Sequence, residues 1–164
     1  MKPGVADYLA RYSSPAVEQF FEKRSDAMRH AAEANGPYPG DFTKNLPPLH
    51  YDTHQDALPD AGEVVWAWVP FDGNREAGKD RPVLVIAREA GTGWLLGLPL
   101  SSVEHKSSAQ WASIGCGAWD VRGRESFVQL DRIVRVARVR RIGGRVPEAT
   151  FIAVVSLLKR SKGR

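Results

Sequence analysis

The run "EVVWAWVPF" that follows Gly62 restricts the fold of this chain more than any other stretch, because it is apolar on both of its alternating faces. Val64, Trp66 and Trp68 would line one face of a strand, and Val65, Ala67 and Val69 the other. A strand of that kind needs cover on both sides. "PVLVIA", "GWLLGLPL" and "SFVQLDRIVRV" repeat the theme, joined by Gly-rich or polar connections such as "FDGNREAGKD" and "IGCGAWDVRGRE". Closely spaced strands with no helical pattern between them predict an antiparallel sheet that curls into a small barrel. The chain then closes on "VPEATFIAVVSLLKR", a helix with Pro147 near its start and with Phe151, Val154, Val155 and Leu158 along one stripe.

The region before the barrel has a different character. "SPAVEQFFEKRSDAMRHAAEANGP" reads as an amphipathic helix: Ser14 can cap it, Pro15 suits the first turn, Gly36-Pro37 ends it, and Val17, Phe20, Phe21 and Met28 lie close to one face. From Gly36 to Ala61, Pro37, Pro39, Pro47, Pro48 and Pro59 forbid regular helix and discourage central strands, so this stretch is a linker or a wrapping arm. The expected organisation is a helical and Pro-rich extension over residues 1–61 and a barrel domain over residues 62–164, mainly β with helices.

With 164 residues and 43% hydrophobic content, one ordinary core is the expectation. No stretch approaches the roughly 18 apolar residues of a membrane span, and the N-terminus lacks a secretory apolar run, so a cytoplasmic location is expected. The only cysteine, Cys116 in "IGCGAW", excludes an internal disulfide and reads as a small packing residue. The net charge of +4 hides an asymmetry: residues 1–61 carry 6 Lys/Arg against 9 Asp/Glu, whereas residues 132–164 carry 10 against 1. Such a basic end fits a phosphate-bearing partner, and equally a solvated basic face.

Chemistry concentrates around "GKDRPVLVIAR". Pro82 cannot donate a backbone hydrogen bond and holds its predecessor extended, so it belongs at the first residue of a strand or on an edge, with Arg81 aimed from the strand's mouth. A guanidinium stays charged at physiological pH, and its planar fork matches two phosphate oxygens. The competing reading pairs Arg81 with Asp80, Asp120 or Asp131 at a barrel rim. The strand ending "LLGLPLSS" delivers Ser101 and Ser102 to the sheet's end, where they can bind phosphate or cap the following turn. His105 and Lys106 follow in "VEHKSSAQW", and His105 is the one nearby side chain that exchanges a proton near neutral pH unaided. His50 and His54 lie among prolines with no second His/Cys pair, which argues against zinc. Neither phosphate-loop pattern of the P-loop or dinucleotide-binding type occurs. Trp94, Trp111 and Trp119 could stack on bases, but at strand and loop ends core packing is the expected use.

The order "GEVVWAWVPF", charged loop, "GKDRPVLVIAR", "LLGLPLSS", polar loop, "VQLDRIVRV", terminal helix resembles the MazF/PemK family of bacterial toxin endoribonucleases from Gly62 to about Arg160. The resemblance implies an SH3-like, plasmid-toxin (MazF/CcdB-like) barrel, a symmetric homodimer, an antitoxin protein as inhibitory partner, and cleavage of single-stranded RNA by 2′-hydroxyl attack with no metal or cofactor. It assigns the catalytic arginine to Arg81 and the strand-end hydroxyl to Ser101, which keeps the threonine hydroxyl of the family and lacks its methyl group. His105 is our candidate for the proton carrier. Arg75, Lys79, Ser102 and Lys106 are the candidates for lining an RNA groove, since single strands bind through such charge plus aromatic stacking. The alternative is a barrel of the same fold that binds nucleic acid or a protein such as DNA gyrase without cleaving.

Overall fold

The computed structural model describes residues 38–52, 59–103 and 109–162; the expected N-terminal helix, His54, His105 and Lys106 lie outside them. In chain order the elements are β1 Glu63–Phe71, β2 Asn74–Arg88, β3 Leu95–Ser101, β4 Trp111–Gly115, β5 Ser126–Gln129, β6 Val134–Arg135, β7 Ala137–Arg145 and α1 Glu148–Lys162. The strands run in the order β4-β5-β3-β2-β1-β7, with β6 also paired to β3. Every pairing is antiparallel. None of the described helices is long and apolar enough to cross a membrane.

The barrel closes through a single bent run. Only Val136 separates β6, which pairs with β3, from β7, which pairs with β1, and the Val136 amide donates to the Leu95 carbonyl at 2.8 Å. The sheet β3-β2-β1 is thereby joined back on itself. Its interior is Val65, Ala67, Val69, Val83, Val85, Leu95, Val134 and Val136, all buried. Gly97 faces this interior so closely that a Cβ there would strike the Val83 side chain.

The opposite face carries the larger cluster. Val64, Leu84, Ile86, Leu96 and Leu98 pack with β4, β5, Trp119 and the α1 stripe Phe151, Val154, Val155 and Leu158. Both faces of β1 and β2 are covered, as their double apolar alternation requires. In α1, Glu148 in the first turn and Lys159, Arg160 and Lys162 in the last complement the helix dipole.

Three expectations change. "SFVQLDRIVRV" is two strands: β5 and β6 both pair with β3, but in registers that differ, Leu100↔Val128 against Gly97↔Val134, so the chain between them must step. The nine residues of β7, of which Val139 and Ile142 pack on the core, lack an apolar run and gave no strand signal. Cys116, read as a packing residue, is exposed. Trp94 and Trp119 are buried, and the Trp119 indole donates to Ser126 Oγ at 2.9 Å, which is the packing use expected of them.

Residues 38–52 of the proline-rich segment form a wrapping arm. Tyr38 and Phe42 are buried, the latter against the larger cluster, and Leu46, Leu49 and Tyr51 pack onto it. The Phe42 amide donates to the Ile133 carbonyl at 2.9 Å, and the Tyr51 hydroxyl to the Val146 carbonyl at 2.7 Å. Arginines of the basic end hold this arm: Arg132 to Asp41, Arg145 to Asp60 and to the Asp52 carbonyl, Arg135 to the Gly40 and Asp41 carbonyls. Arg140 meanwhile pairs with Asp80, and Arg141 stacks over Trp66 at 5.0 Å. Arg132, Arg135 and Arg145 are therefore engaged internally, whereas Arg140, Arg141, Lys159, Arg160 and Lys162 are exposed.

The most buried of these ion pairs joins Glu89, on the β2–β3 connection, to Arg135 through two contacts of 2.8 and 2.9 Å. The Arg135 hydrogen bond holds the Glu89 carboxyl down from its ordinary 4.5 to about 2 against the effect of burial, with Thr92 and the charges of Arg135 and Lys44 adding to the shift. A folded-state value below the unfolded one stabilises the fold above about 4.5 and ceases to do so as pH falls toward 2. The stability difference between wild type and Glu89→Gln in urea titrations is expected to shrink by on the order of 2 kcal/mol between about pH 5 and pH 2. A difference that stays constant across that window would mean that the charge of Glu89 contributes nothing.

Candidate functional site

Arg81 does not open a strand. It lies in the middle of the 15-residue β2, and Pro82 beside it is tolerated for a reason of direction. The Val85 carbonyl accepts from the Gly62 amide on the β1 side. Backbone polar groups alternate along a strand, so residues 83 and 81 also face β1, while 84 and 82 face β3. The β2–β3 ladder ends at Val83↔Pro99, whereas the β1–β2 ladder continues through Trp66↔Pro82, Ala67↔Arg81 and Val69↔Lys79. The missing N–H of Pro82 thus points to where β3 has already left, and no ladder bond is lost. Arg81 stands at the fork between β2 and β3.

The hairpin beyond it is a bulged strand pair rather than the loop expected from "FDGNREAGKD". Pairing steps from Pro70↔Gly78 to Phe71↔Asn74, which sets Arg75, Glu76 and Ala77 outside the ladder. Gly78 is required there, because a Cβ would strike the Val69 carbonyl and the Pro70 backbone.

Register brings the polar residues together. Val83, Pro99, Val85, Gly97 and Val134 occupy one face, since directly paired residues of neighbouring strands point the same way. Two residues further along are Arg81 beyond Val83 and Ser101 beyond Pro99 on their strands, and Arg132 before Val134, just outside β6. All three continue the interior face at the same open end of the barrel. Lys79, exposed, follows Arg81 on that face.

The electrostatics of Arg81 are unusual. It is half-buried, and among the described residues its guanidinium has no hydrogen bond or ion pair. The rim-pairing alternative fails for the two carboxylates with partners, because Asp80 pairs with Arg140 at 2.7 Å and Asp120 with Arg124 at 2.8 Å. Burial and then the charge of Arg132 both push the Arg81 guanidinium below its ordinary value. A partly desolvated cation with a like-charged neighbour gains free energy when an anion arrives.

Arg132 is held in place. Nε donates to Asp41 Oδ2 at 2.7 Å, and Nη2 to Asp41 Oδ1 at 3.3 Å and to the Pro70 carbonyl at 2.7 Å. Burial opposes its charge, but the hydrogen bond and charge of Asp41 outweigh burial and raise its pKa. Ser101 Oγ accepts the Val103 amide at 3.1 Å, so it does cap the turn, and Ser102 beside it is exposed. Arg75 is drawn onto the arm: it donates to the Tyr38 carbonyl and lies 6.0 Å from that ring. The sequence reading missed Arg132. Its only signal was the alternation of "RIVRV", which does not by itself say which strand lies opposite.

A family described as the PemK-like, MazF-like toxin of type II toxin-antitoxin systems matches residues 60–161. No curated protein matches the chain. Among solved structures, an endoribonuclease in complex with its cognate antitoxin from Mycobacterial species is similar with a TM-score of 0.50 and 17% identity, over 64% of this chain and 95% of that one. MazF from Deinococcus radiodurans is similar with a TM-score of 0.49 and 22% identity, over 65% of this chain and 97% of that one. At 17% identity the first likeness is one of fold.

Proposed function

Because the chain belongs to the family of PemK-like, MazF-like toxins of type II toxin-antitoxin systems, we propose that it is an endoribonuclease that cleaves single-stranded RNA and is held in check by a cognate antitoxin. The observation that carries this reading is Arg81, a half-buried guanidinium with a like-charged neighbour and, among the described residues, no carboxylate to neutralise it.

In the proposed reaction the substrate's 2′-oxygen attacks its own phosphorus. A P–O2′ bond forms and the P–O5′ bond breaks, leaving a 2′,3′-cyclic phosphate and a 5′-hydroxyl. The 2′-hydroxyl gives up a proton and the departing 5′-oxygen gains one, so no co-reactant is needed. The protein must align the attack and stabilise the charge that grows on the pentacoordinate phosphorus. Arg81 supplies that stabilisation, and its lowered pKa makes it a readier proton donor while it remains a cation. Ser101 positions the scissile phosphate. His105, four residues after Ser101 in the sequence, is proposed to carry the proton between the 2′-oxygen and solvent. Lys79 extends the anion-binding face, with Arg75, Ser102 and Lys106 along the proposed RNA path. A symmetric homodimer would set two such faces along one groove.

The test is incubation of the purified protein with a long unstructured RNA in excess EDTA, followed by mapping of the ends. Discrete cuts bearing 2′,3′-cyclic phosphate are expected. RNA that stays intact, or that is retained without turnover, would replace the nuclease by a binding module.

A further inference from the structure

We propose that Arg132 is a second phosphate-binding guanidinium of this site, held ready beside Arg81 by the carboxylate of Asp41. The proposal rests on the RNA reading above. It starts from a contrast between two arginines of one segment. Arg135 uses all three of its nitrogens: Nε and Nη2 bind the Glu89 carboxylate, and Nη1 binds the Gly40 and Asp41 carbonyls. That is a structural clamp with four of its five N–H donors taken. Arg132 uses only two. Nε and Nη2 are taken by Asp41 and the Pro70 carbonyl, and Nη1 has no acceptor among the described residues.

Its position makes the spare donors useful. Arg132 precedes Val134 by two residues on the interior face, and β3 pairs with β6 at Gly97↔Val134 and with β2 at Val83↔Pro99. Both ladders end short of the two arginines, and Arg132 crosses to β1, where its Nη2 donates to the Pro70 carbonyl at 2.7 Å, three residues beyond Ala67, the partner of Arg81. The two guanidiniums sense one another, since Arg132 is among the causes that depress Arg81. Two cations crowded at one rim are unfavourable until an anion bridges them, and a phosphate offers the oxygens to do so.

Asp41 is a positioning residue. It offsets part of the Arg132 charge in the empty site and fixes the fork, and it is itself steadied by the Tyr38 hydroxyl at 2.7 Å. The arm thus contributes to substrate binding without touching substrate. With only 12% of its side chain exposed, Arg132 needs little reordering to bind.

The experiment measures binding of a labelled single-stranded 2′-O-methyl oligoribonucleotide, which cannot be cleaved, across a salt series. Arg132→Gln is expected to weaken binding roughly tenfold and to flatten the slope of log K against log salt by about 0.7, the value of one phosphate contact on a single strand. Asp41→Asn loosens the same arm contact but keeps the Arg132 cation, so its slope should match wild type. Equal loss in Asp41→Asn and Arg132→Gln would assign the effect to the arm and overturn the proposal. An unchanged slope in Arg132→Gln, with wild type binding and cutting RNA, overturns it as well and leaves the nuclease reading intact. Failure of wild type to bind or cut RNA would instead bring down the nuclease reading, and this one with it.

Discussion

Replacing Arg81 by Ala is expected to slow single-turnover RNA cleavage by about 10³-fold or more, the scale of a lost transition-state donor or arginine finger, while leaving the protein as stable as before or slightly more so. The two effects have one cause. Arg81 has no described hydrogen bond or ion pair to lose, and the charge of Arg132 beside it is repulsive. Removing the guanidinium relieves that repulsion and some desolvation, so the melting temperature should hold or rise. A structural arginine would behave in the opposite way. Arg81→Lys keeps the charge but loses the planar fork, and should fall between wild type and Ala. Cleavage within about threefold of wild type in Arg81→Ala would remove Arg81 from the reaction; a large fall in melting temperature would assign it a structural task.

The largest stability effect is expected away from the site, at Glu89→Ala. Glu89 is 5% exposed, and it neutralises Arg135, whose side chain is 11% exposed. Truncation leaves a buried guanidinium without its counter-charge, which costs about 3–5 kcal/mol and should lower the melting temperature by roughly 8–15 °C in a domain of this size. The arm loosens at the same time, because Arg135 also holds the Gly40 and Asp41 carbonyls. Lys44→Ala is the control: its side chain is 73% exposed and its ammonium lies 4.0 Å from the Glu89 carboxylate, so its loss should change stability by less than about 1 kcal/mol. A change below about 1 kcal/mol in Glu89→Ala would mean that Arg135 finds other acceptors or water.

The difference between these residues was not legible in the sequence. Arg81 and Arg135 are both arginines beside apolar runs, "RPVLV" and "VRV". One meets a carboxylate 46 positions away and becomes a clamp; the other, among the described residues, meets none and remains available. Charge counting is limited for the same reason. The basic end fitted a phosphate-bearing partner and a solvated face equally, and it did not show that Arg132, Arg140 and Arg145 find Asp41, Asp80 and Asp60 in the same chain. Composition counts charges but does not pair them.

What the sequence determined by itself is what depends on near neighbours. The double alternation of "EVVWAWVPF" requires a strand covered on both faces, the stripe from Phe151 to Leu158 requires a helix packed on one side, and Pro82 holds Arg81 extended wherever it lies. Tertiary structure decided whatever depends on distant partners: the closure of the barrel through Val136, the arm laid over its surface, the strand made by the arginine-rich residues 137–145, and the convergence of Arg81, Ser101 and Arg132 at one rim. Alternation reports which face a side chain takes, because the strand repeats every two residues. Only the register between strands reports what it faces, and register is set by hydrogen bonds and packing across the whole barrel.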